Sequence, residues 1–87
     1  MNAKRARQVI SETSGRWFTV DFTKRTNGEL RTINGRIDAK KYVKGNYYNF
    51  EPRNYNLYPV YVASLDDYRL IPLEGVKSIR ANKRVYK

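Results

Sequence analysis

From Trp17 onward the apolar residues recur at every second position. Phe18, Val20 and Phe22 alternate with Trp17, Thr19, Asp21 and Thr23. A period of two puts successive side chains on opposite faces, so this segment reads as a half-buried strand and not as a helix. Turn signals then break up the rest of the chain. Asn27-Gly28, Asp66-Asp67, Glu74-Gly75 and Asn82-Lys83 separate short runs of β-formers: the partner run from Glu29 through Ile33, then Tyr58–Leu65, Tyr68–Leu73, Val76–Ala81 and Arg84–Lys87. Runs of this length with turn residues between them specify antiparallel hairpins.

The turns also imply registers. A two-residue Asn27-Gly28 turn sets Thr26 opposite Glu29, Lys24 opposite Arg31 and Phe22 opposite Ile33. It thereby places two like charges across from each other near the tip, an arrangement that costs stability unless solvent or an anion separates them. A tight Asp66-Asp67 turn sets Val62 opposite Ile71 and Val60 opposite Leu73, with Tyr61 facing Pro72 and Ala63 facing Leu70 on the other side. In that register Tyr61 and Arg69 lie on opposite faces.

Two segments fall outside the strand pattern. Residues 2–14 carry Ala3, Ala6, Val9, Ile10 and Thr13 at helical spacing, with Asn2 as a cap and Gly15 as a stop. Lys4, Arg5 and Arg7 lie in the first two turns of this helix. There the positive end of the dipole disfavours each of them by roughly 0.3–1 kcal/mol, which points to a use other than helix stability. Residues 36–57 read as irregular, with a turn or two of helix over residues 38–45. Four Asn, three Tyr and Phe50 crowd residues 46–56, a composition suited to adaptable hydrogen bonding and stacking.

A chain of 87 residues allows one domain with a thin core. The expected organisation is a helix over 2–14 followed by a curled or closed antiparallel barrel of five or six short strands over 17–87, its long loop at 36–57. No apolar run approaches the ~20 residues that span a bilayer, and the basic segment Met1–Ile10 lacks the apolar stretch of a signal peptide. The cytoplasm is the expected compartment. With no Cys, disulfides and thiolate metal sites are excluded from the sequence itself.

Catalysis finds little support. The chain has no His for proton transfer and no Cys nucleophile, and its serines lack a base-bearing motif. Asp66-Asp67, with Asp21 or Glu74, is a conceivable Mg²⁺ pair, but adjacent acids of this kind are ordinary turn residues. Neither a metal nor a cofactor is expected.

Charge is the remaining chemical signal. Eighteen Lys and Arg against eight Asp and Glu give a net charge of +10, interleaved with eight Tyr. Such a surface suits a polyanion: cations displace counterions from phosphates, and tyrosines offer a stacking face. Lys40, Lys41 and Lys44 with Tyr42 form a central cluster, beside Tyr47 and Tyr48. Lys77, Arg80, Lys83 and Arg84, with Tyr86, form a C-terminal one. Lys24 and Arg31 crowd the first hairpin tip. The partner expected from these residues is nucleic acid, DNA or RNA, bound through backbone phosphates. The competing expectation is an adaptor that binds an acidic protein through its basic face and Asn/Tyr loop. A small-ligand sensor is a third reading, with little interior room for a pocket.

The residues Phe18-Thr19-Val20-Asp21-Phe22-Thr23-Lys24-Arg25, Gly28 to Arg36, Lys40 to Gly45 and Tyr68 to Asn82 together resemble a family of small phage and phage-like proteins described as WYL-like, Sm-like SH3 β-barrels. The Thr-Ile-Asn-Gly-Arg element and the Tyr-Arg…Val-Lys-Ser-Ile-Arg ending carry the resemblance jointly, across roughly residues 17–87. It implies an SH3-like barrel of phage origin in the cytoplasm of an infected bacterium, related to modules that sense nucleic-acid or nucleotide ligands. It also implies a binding role for Arg36 and Arg69. Asn82-Lys83 departs from the Asn-Gly expected in the final hairpin.

Overall fold

In a computed structural model, residues 1–37 and 52–87 are described. They form a helix, α1 (Ala3–Glu12), and six strands: β1 (Phe18–Thr23), β2 (Leu30–Arg36), β3 (Leu57–Val62), β4 (Asp67–Pro72), β5 (Val76–Ala81) and β6 (Arg84–Tyr86). Short 3₁₀ turns at Pro52–Tyr55 and Leu73–Gly75 precede β3 and β5. All strands join one antiparallel sheet in the order β4-β3-β2-β1-β5-β6. Chain neighbours β4 and β5 therefore lie far apart in the sheet order, and the sheet curls so that β1 touches β4.

The helix forms where the spacing predicts. The Asn2 side chain accepts the Arg5 backbone N–H at 2.8 Å, filling one of the orphan donors of the first turn. Ala6, Val9 and Ile10 face the sheet, and α1 packs on β5 and the Leu73–Gly75 turn. Of the three cations in the early turns, Arg7 has a packing role. Its guanidinium lies 5.8 Å from the Tyr58 ring centroid and donates to the Arg53 carbonyl at 3.4 Å, while Ser11 and Tyr58 share a hydroxyl hydrogen bond of 3.0 Å. Lys4 and Arg5 are exposed.

Beneath the helix lies one core of Phe18, Val20, Val60, Ile71, Leu73, Val76 and Ile79, with Phe22 at its edge. Each such side chain contributes about 1.5–3 kcal/mol by leaving water. The predicted inward set of β1 is the buried set.

Two hairpin registers differ from expectation. Phe22 faces Arg31, not Ile33, and Ile33 faces Val20. The loop comprises residues 25–28, and Lys24 donates its N–H to the Glu29 carbonyl at 2.9 Å. A two-residue turn of the predicted type needs positive φ at both Asn27 and Gly28, and only Gly28 adopts it, at 70°. The Asn27 side chain instead accepts the Glu29 N–H at 2.9 Å, closing a local turn that competes with the tight hairpin. The Lys24–Arg31 pairing does not form. Arg31 is instead ion-paired to Glu29 at 3.2 Å.

In the second hairpin Val62 faces Asp67, Tyr61 faces Tyr68, Val60 faces Arg69 and Leu57 faces Pro72. The predicted pairs Val62–Ile71, Val60–Leu73, Tyr61–Pro72 and Ala63–Leu70 are therefore absent. Residues 63–66 form the loop through two successive turn bonds, and Asp66, at φ 51°, accepts a hydrogen bond from the Tyr61 hydroxyl. Small, polar Ala63-Ser64 has little to gain by extending β3. Leu73 leaves the strand and is buried in the 3₁₀ turn.

The last hairpin is as predicted. Ala81 faces Arg84, and Asn82 and Lys83 both take positive φ, 52° and 63°, as a two-residue primed turn requires. Within the predicted loop, Arg36 belongs to β2 and Pro52–Tyr55 is a 3₁₀ turn, while the helix expected over 38–45 lies outside the described residues.

Candidate nucleic-acid interface

Residues paired across a sheet share a face. Val20, Ile33, Val60 and Ile79 point to the core, so the alternate residues line the outer face. Running across the strands there are Tyr68 on β4, Tyr61 on β3, Arg36 on β2 and Trp17 just before β1. Arg36 is brought opposite Tyr61 by the short β2–β3 pairing, which consists of Gly35–Val62 and Arg36–Tyr61. Gly35 makes this approach possible: a Cβ there would overlap the Tyr61 carbonyl oxygen and lie 2.6 Å from Val60 Cγ1.

The resulting row is in contact throughout. The Tyr61 and Tyr68 rings meet edge to face at 5.8 Å between centroids, and Tyr61 and Trp17 are tilted by 52° at 6.4 Å. The Arg36 guanidinium carbon lies 5.5 Å from the Trp17 ring centroid, and its Nε is buried without a hydrogen-bond partner among the described residues. Trp17 itself is 47% exposed. An indole flanked by a guanidinium and open to solvent on a sheet face is a stacking surface for a flat π-system.

Asp21 organises the next part of this face. It accepts hydrogen bonds from Thr32 on β2 at 2.6 Å and Ser78 on β5 at 2.8 Å, and Arg80 approaches to 3.5 Å. The Thr32 bond, then the Ser78 bond, and to a lesser degree the Arg80 charge hold its carboxyl below the ordinary value of 3.8. Beyond Arg80, Lys77, Lys83 and Arg84 are exposed on the β5–β6 hairpin, with no ionic partner among the described residues. Of the C-terminal cluster expected from sequence, Arg80 shares the outer face with Thr19 and Asp21, Lys83 lies in the β5–β6 turn, Arg84 pairs with buried Ala81, and Lys77 lies beside Val76 at the start of β5. The conceivable metal pair is otherwise engaged, Asp66 with the Tyr61 hydroxyl and Asp67 with Arg69 at 3.8 Å.

Lys24, Arg31 and Arg69 gather elsewhere. With Arg25 they edge a groove of about 480 Å³ between the β1–β2 and β3–β4 hairpins, floored by Phe22, Ile33, Leu57, Leu65, Leu70 and Pro72. Arg25 was not singled out from sequence. It is held by two hydrogen bonds to Glu74 and one to the Tyr55 carbonyl; the Arg25 bonds pull the Glu74 carboxyl below its ordinary value. Lys40, Lys41, Tyr42, Lys44, Tyr47 and Tyr48 lie outside the described residues.

Sequence reasoning missed Trp17, Tyr61 and Tyr68 as a site. One signal was present: Trp17 is out of phase with Phe18, Val20 and Phe22, which assigns the largest ring of the chain to the solvent face. No family model, curated protein or solved structure matches this chain. No helix among the described residues is long and apolar enough to cross a membrane.

Proposed function

We propose that this chain is a non-enzymatic nucleic-acid-binding protein that lays an unpaired strand across the outer face of its sheet. Trp17 carries the reading: its half-exposed indole, flanked by Arg36 and Tyr61, stands on the same face as Arg80, and Lys77, Lys83 and Arg84 are exposed on the same β5–β6 hairpin. In this reading a base stacks on Trp17, and the cations at the β5–β6 end neutralise backbone phosphates. Stacking needs an unpaired base, so single strands bind better than duplex.

The curled sheet we read as a small SH3-like, Sm-like barrel of phage type. Support for closure comes from the contact between β1 and β4, which a flat sheet would hold about 14 Å apart. A role in transcription or replication is the use this proposal gives to a nucleic-acid partner.

The test is fluorescence anisotropy with labelled single- and double-stranded DNA and RNA at low salt. Trp17→Ala is expected to weaken single-strand binding about tenfold, within the 1–3 kcal/mol of one base–aromatic stack, with an unchanged circular dichroism spectrum. Failure of the native protein to bind any of the four probes refutes the proposal.

A further inference from the structure

The groove between the two hairpins is poorly suited to a base. Its floor is hydrocarbon from Phe22, Ile33, Leu57, Leu65, Leu70 and Pro72, and the neutral polar side chain at its edge is Thr26. A nucleobase carries several donors and acceptors around its rim, and entering this floor would strip them of water without replacing their hydrogen bonds. Aliphatic and phenyl side chains carry no such penalty. At about 480 Å³, the groove is within the range of pockets that enclose compact apolar groups.

The edge is cationic. Arg25 is committed to Glu74, but Arg31 and Arg69 are held only by pairs at 3.2 and 3.8 Å in which every side chain is over 40% exposed. Such pairs are worth little, so an incoming carboxylate can take either guanidinium over. Lys24 faces the same groove with no ionic partner among the described residues. Leu65, 49% exposed at the loop tip, is a bulky apolar side chain left open to water in a highly charged chain. An apolar floor with cations at its margin is complementary to apolar side chains flanked by acids.

We propose that this groove docks a protein segment bearing one or two bulky apolar side chains flanked by Glu or Asp. None of the groove-lining residues belongs to the row of Trp17, Arg36, Tyr61 and Tyr68, so in this proposal the chain can hold a nucleic acid and a protein at once. It gives the acidic-partner expectation a definite location and a definite chemistry.

A labelled dodecapeptide with central Leu and Phe among Glu and Asp residues tests this by anisotropy against the full chain. The peptide is expected to bind, and a peptide with Ser in place of Leu and Phe to bind at least tenfold more weakly. Leu65→Ser is expected to weaken the first peptide about fivefold while leaving oligonucleotide binding and the circular dichroism spectrum intact, and Arg69→Glu is expected to weaken that peptide about fivefold with the circular dichroism spectrum intact. Leu65 is in an exposed loop and Arg69 is exposed on an edge strand, so both variants fold. Equal binding of the two peptides, displacement by an oligonucleotide, or binding of anionic vesicles in place of the peptide overturns the proposal. Those outcomes leave the outer-face reading standing, because its own test uses Trp17.

Discussion

Replacing Gly35 with alanine probes the seam that creates the outer-face row. The added Cβ would overlap the Tyr61 carbonyl oxygen and lie 2.6 Å from Val60 Cγ1, where ordinary contact begins at 3.4 Å. One obstacle is backbone and the other is a fully buried side chain, so neither yields cheaply. Relief requires β3 to draw away from β2, and among the described residues two pairs join these strands. Overpacking of this kind costs about 1–3 kcal/mol, and each ladder hydrogen bond lost adds about 1 kcal/mol. The expected loss is thus about 2–4 kcal/mol, a large share of the stability of a domain this size. Urea denaturation followed by the fluorescence of the single Trp measures it. Gly28→Ala is the control: its φ is 70° but nothing lies within 4 Å, so backbone strain of about 1–2 kcal/mol is the whole cost. A Gly35→Ala loss below that of Gly28→Ala refutes the described β2–β3 approach.

Three further outcomes are expected. Phe22→Ala should destabilise the chain by about 2–5 kcal/mol in the same assay, since the ring is buried at the core edge. Lys83→Gly should act in two directions: removing a Cβ at φ 63° raises stability by about 1 kcal/mol, while loss of the charge flattens the salt dependence of single-strand binding by about 0.7 in log–log slope. The third concerns pH. Asp21 titrates below its ordinary value in the folded chain, so its contribution is complete above that value and fades as pH falls through the folded pKa. Urea midpoints at pH 7 and pH 3 should therefore differ less in Asp21→Asn than in the native protein; an equal difference in both rules Asp21 out as a source of acid sensitivity.

What the sequence disclosed was local. Helix ends follow from Asn2 and the apolar spacing, the burial of β1 from a period of two, and the last hairpin from two adjacent residues able to take positive φ. The other two registers were not legible because turn residues mark where a loop lies and not how long it is. Asn27 spends its side chain on the Glu29 N–H, and Ala63-Ser64 gains nothing from pairing, so both loops grow to four residues. The site was hidden for a different reason. Tyr61 and Arg36 meet through a pairing between Gly35 and Val62, which no local pattern encodes, and Lys24 and Arg31 join Arg69 only because two hairpins fold toward each other.

Trp17 is the single Trp of the chain and also the residue on which the proposed function rests, so its emission reports the claim directly. Titrating a single-stranded oligonucleotide into the protein at 50 and 200 mM salt is expected to quench that emission to saturation. If Lys77, Arg80, Lys83 and Arg84 each take a phosphate, affinity should fall about fiftyfold between the two salt concentrations. Binding detected by anisotropy without any change in Trp17 emission, or with no dependence on salt, contradicts the account.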